Sequence, residues 1–257
     1  MGNIISSLDL LHPNQIYFHE SYESKRLEKI CRVIENEGVL RNPPLVSELK
    51  DGSYLLLDGA HRMMAMIELG CKRIAVQVVP DEKVQLHAWN HILPTGEWLD
   101  SLKKNPMIIW ADKPLENKRL LVKVTEANGQ EYFLYPNDLS NNLFPHLDAW
   151  HSIVNLYQHD YNVCRHANDS TVCPSSGEVL MSYPEYSLVE LRKVVEAKLL
   201  MPAGVTRTKI SGRLLNLRIP LHVLRTETYP AAEWESLCDD WSKYLRHYNE
   251  PIYVYDA

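Results

Sequence analysis

The stretch Tyr54-Leu55-Leu56-Leu57-Asp58-Gly59-Ala60-His61-Arg62 carries the decisive pattern of this chain. An apolar run enters Asp-Gly, and apolar residues then recur at helical spacing through Met63, Met64, Met66, Ile67 and Leu69 until Gly70. The pattern predicts a strand, a tight turn and a helix whose first backbone N–H groups have no intrahelical partner. Such a helix start attracts anions, glycine lets the backbone approach a ligand closely, and the Arg62 guanidinium can fork onto phosphate oxygens. Taken alone, the motif serves equally as a plain turn followed by a solvent-facing His61 and Arg62. Asp58 also has two readings: a strand-end or helix-capping residue, or a group that orients the site.

Upstream, Lys50-Asp51-Gly52-Ser53 is hairpin-turn chemistry between the strand at Tyr54 and a shorter one at Leu45-Val46, and Pro43-Pro44 forces extended backbone before it. From Tyr22 to Glu37, Leu27, Ile30, Cys31 and Ile34 recur at helical spacing, and Gly38 suits a helix C-terminus. Downstream, Ile74 to Val79 is a β-branched strand. A compact α/β unit is therefore expected over residues 1–95.

In residues 96–257 a helix is expected from Trp98 to Trp110, a hairpin of Leu120–Thr125 with Glu131–Tyr135 around Asn128-Gly129, and a helix from Leu147 to Tyr157. Ser187 and Glu190 form a capping box opening a helix to about Ala197. Met201-Pro202-Ala203-Gly204 is a turn before strands at Thr206–Ile210 and Leu215–Ile219.

A chain of 257 residues with a formal net charge of -6 has the size of a folded globular protein and no general attraction to polyanions. Nucleic acid is therefore not expected as its partner. Five scattered cysteines without a CxxC pair point to reduced thiols rather than a disulfide framework or zinc knuckle. No run approaches the ~20 apolar residues of a membrane span, and no basic leader precedes the apolar residues of the start. A cytoplasmic protein is expected. Cys164-Arg165-His166 with Cys173 could be metal or haem ligands, but solvated loop residues are the favoured reading of so short a pattern.

The runs Gly38 to Val46, Tyr54 to Arg62 and Ile67-Glu68-Leu69-Gly70 together resemble the ParB/sulfiredoxin superfamily. Within it the chain is most similar to the free-serine kinases, particularly those of siderophore clusters. That likeness extends through Phe18-His19-Glu20, Ala88-Trp89-Asn90-His91, Pro202 to Arg207 and Ile210 to Arg213. It implies an α+β fold, with a ParB/sulfiredoxin-like nucleotide-binding domain at residues 1–95 and a mixed α/β domain at 96–257 that contributes to the amino-acid site. It further implies phosphoryl transfer from ATP or ADP, with magnesium, to the hydroxyl of free L-serine. The O-phospho-L-serine formed would feed diaminopropionate and siderophore synthesis.

By the same resemblance Glu20 is the base that accepts the substrate's hydroxyl proton, although its position also suits an exposed first helical turn. Gly59, His61 and Arg62 hold the nucleotide phosphates, and Asp58 acts directly or through magnesium, which phosphate oxygens and water would largely hold. Trp89, Thr206 and Arg207 contact the amino acid, the arginine fork matching an α-carboxylate.

Two rivals share the scaffold. A sulfiredoxin-like reductase carries a reactive cysteine directly before the His-Arg pair, where this chain has Ala60, so the nucleophile is missing. A ParB-like DNA-binding regulator would follow the first domain with a helix-turn-helix, which the region after Pro94 suits poorly.

Overall fold

The computed structural model describes residues 4–138, 143–168 and 171–248. Its first half builds a five-stranded mixed sheet in the order β1-β6-β4-β5-β2. These are β1 (Leu8–Leu11), β2 (Ile16–Tyr17), β4 (Leu45–Glu48), β5 (Tyr54–Asp58) and β6 (Ile74–Val78). Helix α1 (Ser24–Glu37) leads to the short strand β3 (Val39–Leu40), and α2 (Ala60–Glu68) leaves directly from the end of β5. The decisive stretch thus folds as its pattern requires. Leu55, Leu56 and Leu57 are buried between layers, and the helix begins where the apolar run stops.

A long strand, β7 (Val84–Pro94), carries the chain into a second, antiparallel sheet. After α3 (Glu97–Lys103) come β8 (Ile108–Ala111), β9 (Val122–Glu126), β10 (Glu131–Pro136), α4 (Leu143–Asn155), β11 (Cys164–Ala167), β12 (Glu178–Ser182), α5 (Leu188–Glu196) and β13 (Thr206–Ile210). The seven strands run in the order β11-β7-β12-β9-β10-β8, with β13 paired to β7. The capping box is formed as expected, with the Ser187 side chain accepting from the Glu190 N–H and the Glu190 carboxylate accepting from the Ser187 N–H.

Two expected elements differ. The helix expected over Trp98–Trp110 ends at Lys103, and Ile108–Ala111 is a strand in register with Phe133–Pro136 of β10. The β-branched pair Ile108-Ile109 favours pairing over a further helical turn. The strand expected over Leu215–Ile219 is mostly loop: Asn216 and Arg218 both adopt φ of 56°, so only β14 (Ile219–Pro220) pairs, with β3. Leu214 and Leu217 supply the apolar character by burial instead. The chain then ends its described part in α6 (Leu221–Arg225) and α7 (Ala231–Tyr244).

Two hydrophobic cores result, and their membership crosses residue 95 in both directions. The core around β1, β4, β6 and α2 also contains Leu214, Leu217, Ile219, Leu224 and Trp234, returned from the far end of the chain. The core of the second sheet takes in Leu45, Leu55 and Leu57 from the first. The halves therefore share both cores, and the cleft draws residues from each of them.

Candidate active site

Helix α2 starts at Gly59, whose φ of 101° is a backbone conformation that side chains with a Cβ rarely adopt. A Cβ there would also lie 3.1 Å from the Arg62 guanidinium and 3.2 Å from Pro44. The turn places the free N–H groups of the first helical turn at the mouth of a cleft of about 530 Å³. Glu20, Asp58, Gly59, His61, Arg62, Trp89 and Thr206, all expected site residues, line it. Arg207 does not. It is the neighbour of Thr206 along β13 and follows the strand's alternation, its guanidinium lying 5.1 Å from the centroid of the Trp89 ring.

Arg62 and Asp58 are engaged within the protein. Arg62 donates to the carbonyls of Asn42 (2.8 Å) and Pro43 (3.3 Å) and to Asp58 Oδ2 (3.1 Å). Arg213, brought from the far end of the chain, donates to the same Asp58 oxygen at 2.8 Å. Burial alone would push the Asp58 carboxyl up, but these two guanidiniums and the Gly59 N–H hold it below the usual carboxylate value. Asp58 is thus an ionised anchor that fixes two arginines at the cleft.

His61 accepts from the Glu23 backbone N–H at 3.0 Å through Nε2, which assigns the proton to Nδ1. Burial, reinforced by Arg26, lowers its pKa to about 4. His61 is therefore a neutral ring in the open cleft, with its N–H at Nδ1.

Glu20 lies outside α1, which begins at Ser24, so the exposed-first-turn reading fails. Its backbone instead forms an isolated parallel bridge with Met201, with Ser21 N donating to Met201 O at 2.9 Å and Met201 N to His19 O at 2.7 Å. This bridge sets the Glu20 carboxylate against the turn before β13, where it accepts from Thr206 Oγ1 (3.0 Å) and Gly204 N (3.4 Å). Burial raises the Glu20 carboxyl above its ordinary value, with His19 and the Thr206 hydroxyl pulling it part of the way back.

Residues missed in the sequence complete the cleft. Arg165, on β11, reaches in beside Gly204 and bonds Glu23 at 3.3 Å. Its Nε is buried without a hydrogen-bond partner. Gly204 has φ of 72°, and a Cβ on it would meet the Arg165 Nε and a terminal nitrogen at 2.7 Å. The Gly204 carbonyl accepts from His91 Nε2 at 2.8 Å, and His91 Nδ1 in turn meets the Tyr157 hydroxyl, which bonds that of Tyr183. The only early signal for Arg165 was its place between Cys164 and His166. Cys164 and Cys173 are exposed, and no group of three or more His, Cys, Asp or Glu residues able to hold a metal occurs among the described residues.

His91 and His146, like His61, are shifted by burial to about 4 from 6.5. These histidines are neutral in the fold but regain an ordinary pKa when the chain unfolds. Between those values the unfolded chain binds more protons, so stability falls as the pH is lowered through that window. Glu20, shifted upward, offsets part of this. Thermal melts from about pH 7 to about pH 4 should show Tm dropping steadily. A flat profile would mean that these rings are not held neutral.

One cleft thus brings together an open helix start, suited to anions, and a buried carboxylate, the parts that a phosphoryl-transfer enzyme needs. The ParB N-terminal domain family matches residues 4–89. Over 257 residues the chain is 33% identical to the ATP-dependent L-serine kinase SbnI of Staphylococcus aureus, covering 99% of each sequence. It belongs to that L-serine kinase family. The solved structure of C-terminally truncated SbnI superposes with a TM-score of 0.83 at 32% identity, covering 93% of this chain and 99% of that one. The ADP-dependent L-serine kinase SerK of Thermococcus kodakarensis is 27% identical over 143 residues, 53% of this chain and 57% of SerK. A free serine kinase in complex with AMP shares the fold, with a TM-score of 0.67 at 14% identity over 85% of this chain and 93% of that one. Among the described residues, no helix is long and apolar enough to cross a membrane.

Proposed function

We propose that the chain transfers the terminal phosphoryl group of ATP to the hydroxyl of free L-serine, forming O-phospho-L-serine and ADP. The observation that carries this reading is the Glu20 carboxylate, buried in the same cleft as the anion-binding start of α2 and held there by Thr206 and Gly204. In the reaction the serine oxygen bonds to phosphorus, the bond from phosphorus to the ADP oxygen breaks, and Glu20 takes the hydroxyl proton. The full-length similarity to an ATP-dependent enzyme supports ATP over ADP as donor. Product use in diaminopropionate and siderophore synthesis belongs to the same proposal.

The cleft divides by chemistry. Ile30, Val33 and Ile34 of α1, with Leu40 and Leu215, give an apolar arm for the adenine ring. The Gly59 turn, the first N–H groups of α2 and the His61 N–H would take the phosphates. Asp58 would lend a carboxylate oxygen to a magnesium ion carried mainly by phosphate oxygens and water, where the ion would neutralise phosphate charge. Trp89 forms a wall of the serine site. Arg165 lines the cleft and would take the α-carboxylate, whereas Arg207 lies outside that lining and braces Trp89. In this reading residues 1–95 supply the phosphate groups together with Glu20 and Trp89, and residues 96–257 add Arg165 and Thr206 to the amino-acid side and Arg213 and Leu215 to the nucleotide side.

The ParB-like regulator is less well supported. Past Pro94 the strands β8 to β13 all join one antiparallel sheet, and α7 carries Glu233, Glu235, Asp239 and Asp240 against Lys243, a poor face for phosphates. Purified chain incubated with serine, magnesium and ATP should yield O-phosphoserine by mass spectrometry, with ADP as the parallel donor. No phosphoserine with either donor would overturn the kinase reading.

A further inference from the structure

The Thr206 hydroxyl, expected to hold the amino acid, is engaged on both sides by the protein itself. It lies 3.0 Å from Glu20 Oε2 and 2.9 Å from His19 Nε2. On the far side of that ring, His19 Nδ1 lies 2.5 Å from the Leu56 carbonyl oxygen. A carbonyl only accepts, so Nδ1 carries a hydrogen, and Nε2, facing Thr206, is the nitrogen free to gain or lose one. His19 is only 2% exposed, and both its nitrogens are occupied by these contacts.

A hydroxyl has one hydrogen to donate. With Glu20 as carboxylate and His19 neutral, Thr206 faces two acceptors and can satisfy only one. One added proton satisfies the whole row in either of two arrangements. Protonated Glu20 donates to Thr206 and Thr206 to His19, or His19 as imidazolium donates to Thr206 and Thr206 to Glu20. Shifting each hydrogen one step along the row interconverts them.

We infer that Glu20, Thr206 and His19 form a proton relay, in which the proton Glu20 takes from the substrate hydroxyl passes through the Thr206 hydroxyl to His19 Nε2. The inference rests on the kinase reading of the cleft. The substrate O–H bond breaks and an O–H bond forms on Glu20. Glu20 then gives that hydrogen to Thr206, Thr206 releases its own to His19, and an N–H bond forms. Glu20 is returned to carboxylate and His19 holds the positive charge. After product leaves, the same row runs backward and the proton escapes to water from Glu20. Burial raises the Glu20 carboxyl above its ordinary value, which favours its holding the proton in passing. His19 is here a positioning and proton-storing residue that acts through Thr206.

The test is steady-state phosphoserine formation, read in mixtures of light and heavy water, for wild type and for Thr206→Val, Thr206→Ser and His19→Gln. Valine keeps the shape of threonine and breaks the row. Its kcat should fall roughly 10-fold or more, with the serine KM within about twofold of wild type. Serine, which keeps a hydroxyl, should restore most of the rate. The rate against deuterium fraction should curve for wild type and Thr206→Ser, as two hydrogens move, and become linear for Thr206→Val. Nucleotide binding by the valine variant checks that the fold is intact, so the test stands even if His19→Gln fails to fold.

A valine variant with unchanged kcat and a raised serine KM would overturn the relay and make Thr206 a substrate contact. A curve that persists in that variant would overturn it as well. Wild type that forms no phosphoserine would bring down the kinase reading itself, a result distinguishable from failure of the relay alone.

Discussion

The Glu20→Gln variant should bind nucleotide as wild type does and form phosphoserine at least ~10²-fold more slowly. Glutamine has the shape of glutamate, and its side-chain oxygen can still accept from Thr206 and Gly204 N, so the turn before β13 keeps its anchor. What it lacks is basicity. An uncharged amide cannot take the hydroxyl proton as the oxygen–phosphorus bond forms, so the loss should fall on kcat, with the serine KM little changed. The pH profile separates this from a packing effect. In wild type the raised Glu20 carboxyl is protonated as the pH falls through its value, so the rate should drop on the acid side at a higher pH than an ordinary carboxylate would give. In the variant that limb should be flat. Phosphoserine counted by mass spectrometry, with calorimetric titration of nucleotide, measures both quantities. A variant with wild-type turnover would remove Glu20 from the chemistry.

The parts of this site that could be read from sequence are those made by neighbours in the chain. Leu55 to Arg62 is one continuous strand, turn and helix, and its open helix start follows from Gly59 and the free N–H groups of α2 whatever packs around it. The resemblance placed Glu20, Trp89 and Thr206 in the cleft. What escaped was set by long-range packing. Arg165 and Arg213 reach the cleft from β11 and from the loop after β13, and neither carries a local pattern that distinguishes it from a surface arginine. Arg207 lies one step of strand alternation from the lining residue Thr206, and neighbouring residues cannot reveal which face of β13 meets Glu20. His19 looked like a companion of Glu20, and its contact with Thr206 spans 187 positions of sequence. The apolar Leu215–Ile219 run has the composition of a strand, but Leu214 and Leu217 fill the first core from a loop with two left-handed residues.

The Gly59→Ala variant should weaken nucleotide binding by at least ~10-fold and lower Tm by several degrees, through two effects that act at one atom. At φ of 101° the backbone of Gly59 lies outside the regions open to alanine, and a left-handed conformation costs a residue with a Cβ about 1–2 kcal/mol. For a chain of this size each kcal/mol shifts Tm by roughly 2–4 °C. The added methyl would also sit 3.1 Å from the Arg62 guanidinium and 3.2 Å from the Pro44 Cα and Cβ. Pro44 is a backbone neighbour in the entry to β4 and cannot swing aside, so relief has to come from Arg62 or from the turn. Moving Arg62 loosens its bonds to the Asn42 and Pro43 carbonyls and to Asp58, which then keeps Arg213 as its one guanidinium partner among those bonds. Moving the turn rotates the first N–H groups of α2 away from the cleft where phosphates are to be held. Either relaxation should reach nucleotide affinity, while the proposed serine side, with Trp89, Arg165 and the Glu20–Thr206 contact, should be touched only indirectly. Isothermal titration with nucleotide and a thermal melt measure the two effects together. A variant that lost stability but kept full nucleotide affinity would show that phosphate is not held at the Gly59 turn.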